Sequence, residues 1–355
     1  MPLLPFSTLA RRSLSTSVIN PLMSSSFGAT CPLPSFSTSS CLTEDVDELH
    51  QIYADLLLGP DLAFPGVEAD ASVTIGRSKA EVLESLFPSE WSDGVARFGH
   101  GPYQYPQDPT DEERVFDFVQ EAITKERPGV LLLGPLSEPG DRLASCEYTT
   151  FVEAAISHAR GVRPETKVIW DETIGGFGRV AGARPQLWSI EFFLKNLTWD
   201  AALLPSLYGP DSGIVAGIIN HDYSDSASDS DPPPTFDILN REIHGLRYLL
   251  HGGISLPTSS AYIGGYIHNR LWNELLGRSR VVVDVHGRGA WIAIEVLHDE
   301  VPSRLLPLCC RLVKRPDHDV IVICPPFAFE DPQEALLYAD ELVQSILDLL
   351  LFRES

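Results

Sequence analysis

Three short runs of apolar residues limit the folds that this chain of 355 residues can adopt. Val130–Leu133, Val168–Trp170 and Ala201–Leu204 have an apolar side chain at every position. Strands with this pattern are expected to be buried on both faces, as in a parallel sheet that helices cover. Helical patterns separate the runs, around Thr150–His158 and Gln186–Leu197. The alternation predicts an α/β fold with a mainly parallel sheet and helices on both faces.

The last third of the chain has a less regular order of segments, which predicts a smaller C-terminal α+β domain. Its expected helices are Ile238–Leu250, Ser259–Leu276, Leu305–Val313 and Gln333–Leu351, and its expected strands are Val281–Val285, Trp291–Val296 and Val320–Ile323. Residues 224–234 are acidic, rich in serine and end in prolines, so they are expected to form a disordered loop. We therefore expect a large domain over 44–223 and a final part, 235–355, that completes it and contains the small domain.

Composition excludes several classes of function. The net charge of -23 argues against nucleic acid as a partner, because the phosphates would be repelled. No apolar run approaches the length of a membrane-spanning helix. The six cysteines form no C-x-x-C pair, and no histidines lie at zinc-binding spacing. We therefore expect no metal site, and we expect thiols that stay reduced.

The first 43 residues differ from the rest of the chain. They contain Arg11, Arg12 and many serines and threonines, and the first acidic residue of the chain is Glu44. Such a segment is typical of a mitochondrial transit peptide, which predicts a location in the mitochondrial matrix. Plastid targeting and an ordinary disordered tail are the alternatives. A helix is expected to begin at Thr43, with acids in its first turn.

The segment Lys167–Arg179 carries the most chemical information, with the sequence KVIWDETIGGFGR. Its apolar strand ends at Asp171, and a glycine-rich turn follows. An acid at the carboxyl end of a buried strand points into the crevice where α/β sheets bind ligands. Gly175 and Gly176 would allow a tight turn beside such a ligand.

This segment resembles the signature of class III aminotransferases, which use pyridoxal phosphate. In that family the aspartate binds the pyridine nitrogen of the cofactor and keeps it protonated, so that the ring withdraws electrons from the substrate. The resemblance implies pyridoxal phosphate as cofactor and a large domain like that of the fold type I pyridoxal-phosphate transferases. It also implies cofactor contacts from Asp171, Gly175 and Gly176, and from Thr235 at the position of a phosphate-binding threonine that acts across subunits.

Further motifs are similar to the 4-aminobutyrate aminotransferase branch of this class. Gly101–Pro106 contains its P-x-Y-x-Y-P element, Gly134–Ser145 resembles its E-P-x-x-S-E-G-G-D-x-x-A-S element, and Gly287–Glu295 resembles its G-x-G strand. The similarity covers roughly residues 75–350. It implies a homo-oligomer that moves an amino group from 4-aminobutyrate, or another ω-amino acid, to 2-oxoglutarate.

Several positions depart from the family in their chemistry. The family's cofactor-binding lysine follows the strand after Asp171, and Ser206 stands there instead. Serine cannot form the imine that a primary amine forms. Three other polar residues of the family's site correspond to Ile174, Gly134 and Cys324. The phosphate-binding segment, a small-residue turn that opens a helix, is expected well before residue 75, where we find no candidate outside the leader.

Two interpretations follow from these departures. In the first, the chain is a catalytically inactive relative of the aminotransferases in mitochondria. It would be a homo-oligomer, a partner of an active paralogue, or a structural subunit of a larger assembly. In the second, it is an active pyridoxal-phosphate-dependent transaminase. The loss of four polar groups that converge on one cavity favours the first, because random drift at one position would not remove all four. An incomplete N-terminal part would explain the missing phosphate segment but not Ser206.

Overall fold

The fold is given by a computed structural model. It describes residues 41–58, 64, 71–99, 101–106, 111–136, 149–180, 199–207, 214–219, 236–250, 256–298, 300–301, 306–307, 309–315, 317–327, 329 and 331–351. These residues all belong to one compact unit, Ser39–Ser355. The leader up to residue 40, the predicted helix Gln186–Leu197, the acidic segment 224–234 and Thr235 lie outside the described residues. The predictions made for them stay predictions.

The described residues form the following helices and strands. The helices are α1 (Cys41–Leu58), α2 (Lys79–Leu86), α3 (Pro88–Ser92), α4 (Glu112–Glu126), α5 (Thr149–Val162), α6 (Phe236–Leu250), α7 (Leu256–Leu275) and α8 (Pro332–Leu351). The strands are β1 (Ser72–Gly76), β2 (Val95–Arg97), β3 (Val130–Leu133), β4 (Lys167–Asp171), β5 (Ala201–Leu204), β6 (Val215–Ile219), β7 (Val282–Arg288), β8 (Trp291–Val296), β9 (Cys310–Lys314) and β10 (Asp319–Ile323). Among these helices, none is long and apolar enough to cross a membrane.

The larger sheet of the described residues has six strands in the order β1-β6-β5-β4-β3-β2. Strands β2 to β5 are parallel, and β6 runs antiparallel to both β5 and β1. Strand β1 is therefore parallel to β4, and both end at the same edge of the sheet. This arrangement confirms the predicted α/β fold with a mainly parallel sheet.

Helices cover both faces of this sheet. Because successive side chains of a strand point to opposite faces, Ile169 and Leu203 pack against Val82 of α2. Their neighbours Trp170 and Leu204 point the other way, into a core that includes residues of α1, α4, α5 and α6. We call the first side the α2 face and the second side the α6 face. Full burial of each large apolar side chain stabilises the fold by about 1.5–3 kcal/mol. Packing on both faces of the sheet therefore fixes the positions of the strand ends.

The smaller sheet of the described residues is antiparallel, with the order β7-β8-β10-β9, and α7 packs against it. One prediction is wrong here, because residues within Leu305–Val313 form strand β9 rather than a helix. Pro307 cannot lie inside a helix without removing a hydrogen bond. From Cys310 onward the backbone instead pairs with β10, with Lys314 opposite Asp319. A short apolar run in the sequence does not by itself distinguish a strand from a buried helix.

Candidate functional site

Asp171 is the last residue of β4, and its carboxylate lies on the α2 face. Oδ1 accepts hydrogen bonds from the Thr173 backbone N–H at 2.9 Å and from the Thr173 hydroxyl at 2.5 Å. Oδ2 accepts a hydrogen bond from Nζ of Lys79 at 2.7 Å, which is also an ion pair. The Asp171 side chain is only 13% exposed, so these contacts occupy most of the space around the carboxylate.

Lys79 reaches Asp171 because the turn between β1 and α2 lies at the same edge of the sheet as the end of β4. Ser78 is the N-cap residue of α2, and its hydroxyl accepts a hydrogen bond from the backbone N–H of Glu81 at 3.2 Å. The Glu81 carboxylate accepts one from the Arg77 N–H at 2.8 Å. The S-x-x-E pattern at Ser78–Glu81 is a capping signal, which marks where the helix begins.

The turn from β1 into α2 resembles the phosphate-binding segment, a turn that opens a helix, which was expected well before residue 75. Gly76 ends β1, and the residues up to Ser78 lead directly into α2. Such a turn presents backbone N–H groups and the positive end of a helix dipole, which together can bind an anion. The sequence contains the capping signal, but only the pairing of β1 with β6 places the turn near Asp171.

Ser206 follows β5 and is 2% exposed. Its hydroxyl donates a hydrogen bond to Oε2 of Glu242, on α6, at 2.7 Å. The Leu207 N–H donates to Oε1 of the same carboxylate at 2.9 Å, and the Tyr53 hydroxyl lies 3.2 Å from it. We call Tyr53, Ser206 and Glu242 the buried triad.

The carboxylate of this triad is fully buried. Burial raises the pKa of Glu242, and the hydrogen bonds from Leu207, Ser206 and Tyr53 oppose that rise. Sequence reasoning missed Glu242, although a signal was present. It lies among Leu239, Ile243 and Leu246, which form the apolar stripe of α6 that packs into the core. An acid on such a stripe is expected to be buried and to need hydrogen-bond donors around its carboxylate.

The structure therefore separates two residues that were expected to meet at one cofactor. Asp171 points to the α2 face, where it meets Lys79. Ser206 bonds to Glu242 on the α6 face. The contact between Asp171 and Lys79 was not foreseen, because 92 positions separate the two residues in the chain.

The glycines after Asp171 pack against other parts of the chain. A Cβ atom on Gly175 would lie 2.5 Å from Cγ of Pro135, and one on Gly176 would lie 2.8 Å from Cγ of Pro205. No side chain fits at these distances without a shift of its neighbours. The protein's own packing therefore explains why both positions are glycine. These contacts do not themselves indicate a cradle for a cofactor.

Comparisons with known proteins identify the fold of the chain. No family model matches the chain, and no curated protein matches it in sequence. An ornithine aminotransferase from Plasmodium yoelii superimposes with a TM-score of 0.53 at 18% identity, covering 86% of this chain and 78% of that chain. The chain has an aminotransferase fold. An omega transaminase mutant from Pseudomonas jessenii gives a TM-score of 0.52 at 16% identity, covering 87% of this chain and 80% of that one.

A third structure with the aminotransferase fold is a phospholyase from Arthrobacter in complex with phosphoethanolamine. It superimposes with a TM-score of 0.53 at 19% identity, covering 87% of this chain and 81% of that chain. Identities this low show the fold alone, and a shared fold does not establish a shared activity.

The residues at the strand ends of this aminotransferase fold do not fit a covalently held pyridoxal phosphate. The carboxylate expected to bind a pyridine nitrogen already binds the ammonium of Lys79. The position expected to supply a primary amine has the hydroxyl of Ser206, which is bonded to Glu242. The turn at 76–78 opens a helix, as a phosphate site does, but its Arg77 N–H is already bonded to the Glu81 carboxylate. We therefore derive no catalytic step through this cofactor.

Proposed function

We propose that the chain is a class III aminotransferase-like protein that does not attach pyridoxal phosphate covalently and does not transfer amino groups. The ion pair between Lys79 and Asp171 is the observation that carries this proposal. A protonated pyridine nitrogen and a lysine ammonium are both cations that need the same carboxylate oxygen. With Lys79 in place, the ring nitrogen would lose its counterion and its protonated form would be disfavoured.

Ser206 supports the same conclusion from the other face of the sheet. Its hydroxyl is buried and bonded to Glu242, so it is directed away from Asp171. An amine introduced at this position would meet the Glu242 carboxylate and form a buried ion pair with it. Restoring the family's lysine alone is therefore not expected to restore the chemistry.

The proposal also concerns the cellular location of the protein and the chains with which it assembles. The acid-free leader supports import into the mitochondrial matrix, and the motifs at Pro102–Pro106 and Gly287–Glu295 support descent from the 4-aminobutyrate branch. We infer that the protein assembles with itself or with an active paralogue. A fluorescent fusion of the full chain, compared with one that lacks residues 1–40, tests the location. Equal mitochondrial import of both would contradict it.

The decisive experiment measures attachment of the cofactor. Full-length protein is incubated with pyridoxal phosphate, reduced with borohydride and digested, and the adduct at each of Lys79, Lys125, Lys167, Lys195 and Lys314 is quantified by mass spectrometry. We expect only low, nonspecific labelling spread over the exposed lysines. One stoichiometric adduct, together with amino transfer from 4-aminobutyrate to 2-oxoglutarate, would contradict the proposal.

The matched variant for this experiment is Ser206→Lys. We expect no visible-range absorbance band and no adduct at position 206, because the new ammonium pairs with Glu242. An adduct at position 206 would show that this side chain faces the cofactor after all. It would also show that the missing amine alone explains the loss of activity.

A further inference from the structure

Two adjacent cysteines lie at the start of β9, in the part of the chain that was expected to be helical. Cys309 immediately precedes the strand and Cys310 is its first residue. Their sulfur atoms are 3.9 Å apart, and both residues are half-buried free thiols. Cys324 lies opposite Cys309 across the β9–β10 pair and donates its backbone N–H to the Cys309 carbonyl at 2.9 Å.

The sulfur of Cys309 has a second polar contact. The hydroxyl of Tyr338, on α8, donates a hydrogen bond to it at 3.4 Å. A hydroxyl donor stabilises a thiolate more than a thiol, because the sulfur anion is the stronger acceptor. Cys309 therefore has one thiol neighbour and one hydroxyl neighbour.

A buried cation lies close to this group. Arg179 is 1% exposed, and its guanidinium donates to the Pro325 carbonyl at 2.6 Å and lies 4.6 Å from the ring centre of Phe327. Its Nε atom has no hydrogen-bond partner, and Arg179 has no carboxylate partner among the described residues. A buried cation without an anion is costly. Negative charge on Cys324 or Cys309 would interact favourably with it.

These contacts make the two adjacent thiols unequal. The contact with Cys310 lowers the pKa of Cys309, burial opposes this, and the Tyr338 hydroxyl and the Arg179 charge lower the pKa further. The contact with Cys309 and burial raise the pKa of Cys310. Thiolates are the reactive form of cysteine, so the geometry assigns nucleophilic character to Cys309 and leaves Cys310 as a thiol.

We propose that Cys309 and Cys310 form a redox-active dithiol that reacts with hydroperoxides. The Cys309 thiolate attacks the terminal oxygen of the peroxide, so that an S–O bond forms, the O–O bond breaks and hydroxide, or the alkoxide of an organic hydroperoxide, leaves. Cys310 then attacks the oxidised sulfur, and its thiol proton passes to the departing oxygen. An S–S bond forms, the S–O bond breaks and water leaves. Peroxide is reduced and the two thiols are oxidised to a disulfide.

The separation of the sulfurs is compatible with this product. Closing the bond brings them from 3.9 Å to about 2.0 Å. Because the two residues are adjacent, the ring that closes contains their own peptide bond, so the disulfide is strained and easily reduced. Cys324 is the competing partner for the disulfide, because it lies directly opposite Cys309.

Peptide mapping of the oxidised full-length protein tests this proposal. Trypsin releases both adjacent cysteines in peptide 305–311, whereas Cys324 lies in peptide 315–353. After limiting hydrogen peroxide and alkylation of the remaining thiols, we expect peptide 305–311 to lose two hydrogen atoms and to recover them on reduction. Peptide 305–311 with two alkylated thiols, or a disulfide that joins it to peptide 315–353, would overturn the proposal.

Variants assign the two roles. In Cys310→Ser, a dimedone adduct should accumulate at Cys309, and bridging by phenylarsine oxide, which needs two close thiols, should be lost. Cys324→Ser is the matched control and should leave both reactions of peptide 305–311 unchanged. Tyr338→Phe should slow alkylation of Cys309 about threefold for each unit of pKa increase, since a tenfold loss of thiolate is partly offset by higher nucleophilicity. An unchanged rate in Tyr338→Phe, or a dimedone adduct mainly at Cys310 in Cys309→Ser, would contradict the assignment.

Discussion

Replacing Lys79 by methionine tests the ion pair on which the proposed function depends. Methionine keeps the unbranched apolar stem and removes the charge that neutralises Asp171. The loss of one partner costs about 3–5 kcal/mol in a fully buried pair and about 0–1 kcal/mol in an exposed pair. Here the side chains are 28% and 13% exposed, and Thr173 continues to donate two hydrogen bonds to Asp171. We therefore expect Lys79→Met to lower the free energy of unfolding by about 1–2 kcal/mol.

Urea denaturation at neutral pH measures this change. Arg278→Met is the matched control, because Arg278, in the turn that follows α7, forms an exposed pair with Glu274, where a loss of at most about 0.5 kcal/mol is expected. A double-mutant cycle with Asp171→Asn isolates the pair, and we expect a coupling of about 1 kcal/mol or more. If Lys79→Met behaves like the Arg278 control and the coupling is close to zero, the ion pair contributes nothing in solution.

The same variant also tests whether Lys79 blocks the cofactor position. Removing the ammonium leaves the Asp171 carboxylate available to a protonated pyridine nitrogen. A gain of about 1.4 kcal/mol corresponds to tenfold tighter binding. We expect an improvement of this order for noncovalent pyridoxal phosphate in equilibrium dialysis. Equal affinity of wild type and Lys79→Met would show that Lys79 does not compete with a ligand, whatever its effect on stability.

Further predictions concern the buried triad and the glycine turn. Ser206→Ala removes a hydrogen bond to a buried carboxylate and should cost about 1.5–3 kcal/mol in urea denaturation. Because burial raises the pKa of Glu242, its contribution to stability should be greatest below the unfolded pKa of about 4.3 and should decline as the pH rises toward the folded pKa. Glu242→Gln should remove that part of the pH dependence of unfolding, and an unchanged profile would contradict the assignment. Gly176→Ala should destabilise the fold by about 1–3 kcal/mol, because its Cβ meets Pro205. The helical Gly161→Ala, whose Cβ meets nothing within 4 Å, should stabilise it by up to about 1 kcal/mol.

The sequence predicts the sheet well where strands are buried on both faces. The ends of Val130–Leu133 and Ala201–Leu204 coincide with those of β3 and β5, because Gly134 and Pro205 follow the two runs and both residue types are depleted in strands. Helix α1 begins at Cys41, two residues before the expected start, where no strong cap signal marks the boundary. The strand at Cys310–Lys314 was missed because its hydrogen bonds come from β10 rather than from any local periodicity.

The site was harder to predict than the fold, because its contacts depend on the order of the strands. Asp171 could be identified as an acid at a strand end, but its partner Lys79 follows β1, which enters the sheet beside β6. No pattern in the sequence around Lys79 indicates that its side chain lies near Asp171. Likewise, Ser206 could be placed after β5, but the face it points to was decided by Glu242 on α6.

The segment after β4 has a role in this chain that does not require a cofactor. At its start, Asp171 joins the strand end to Lys79 of α2. At its end, Arg179 joins the segment to Pro325, just beyond β10 of the smaller sheet. Gly176 packs between these points, against Pro205. If the role of the segment 171–179 is to link the two sheets, Asp171→Asn should destabilise the protein about as much as Lys79→Met does. A neutral Asp171→Asn would instead mean that the acid is kept for a ligand.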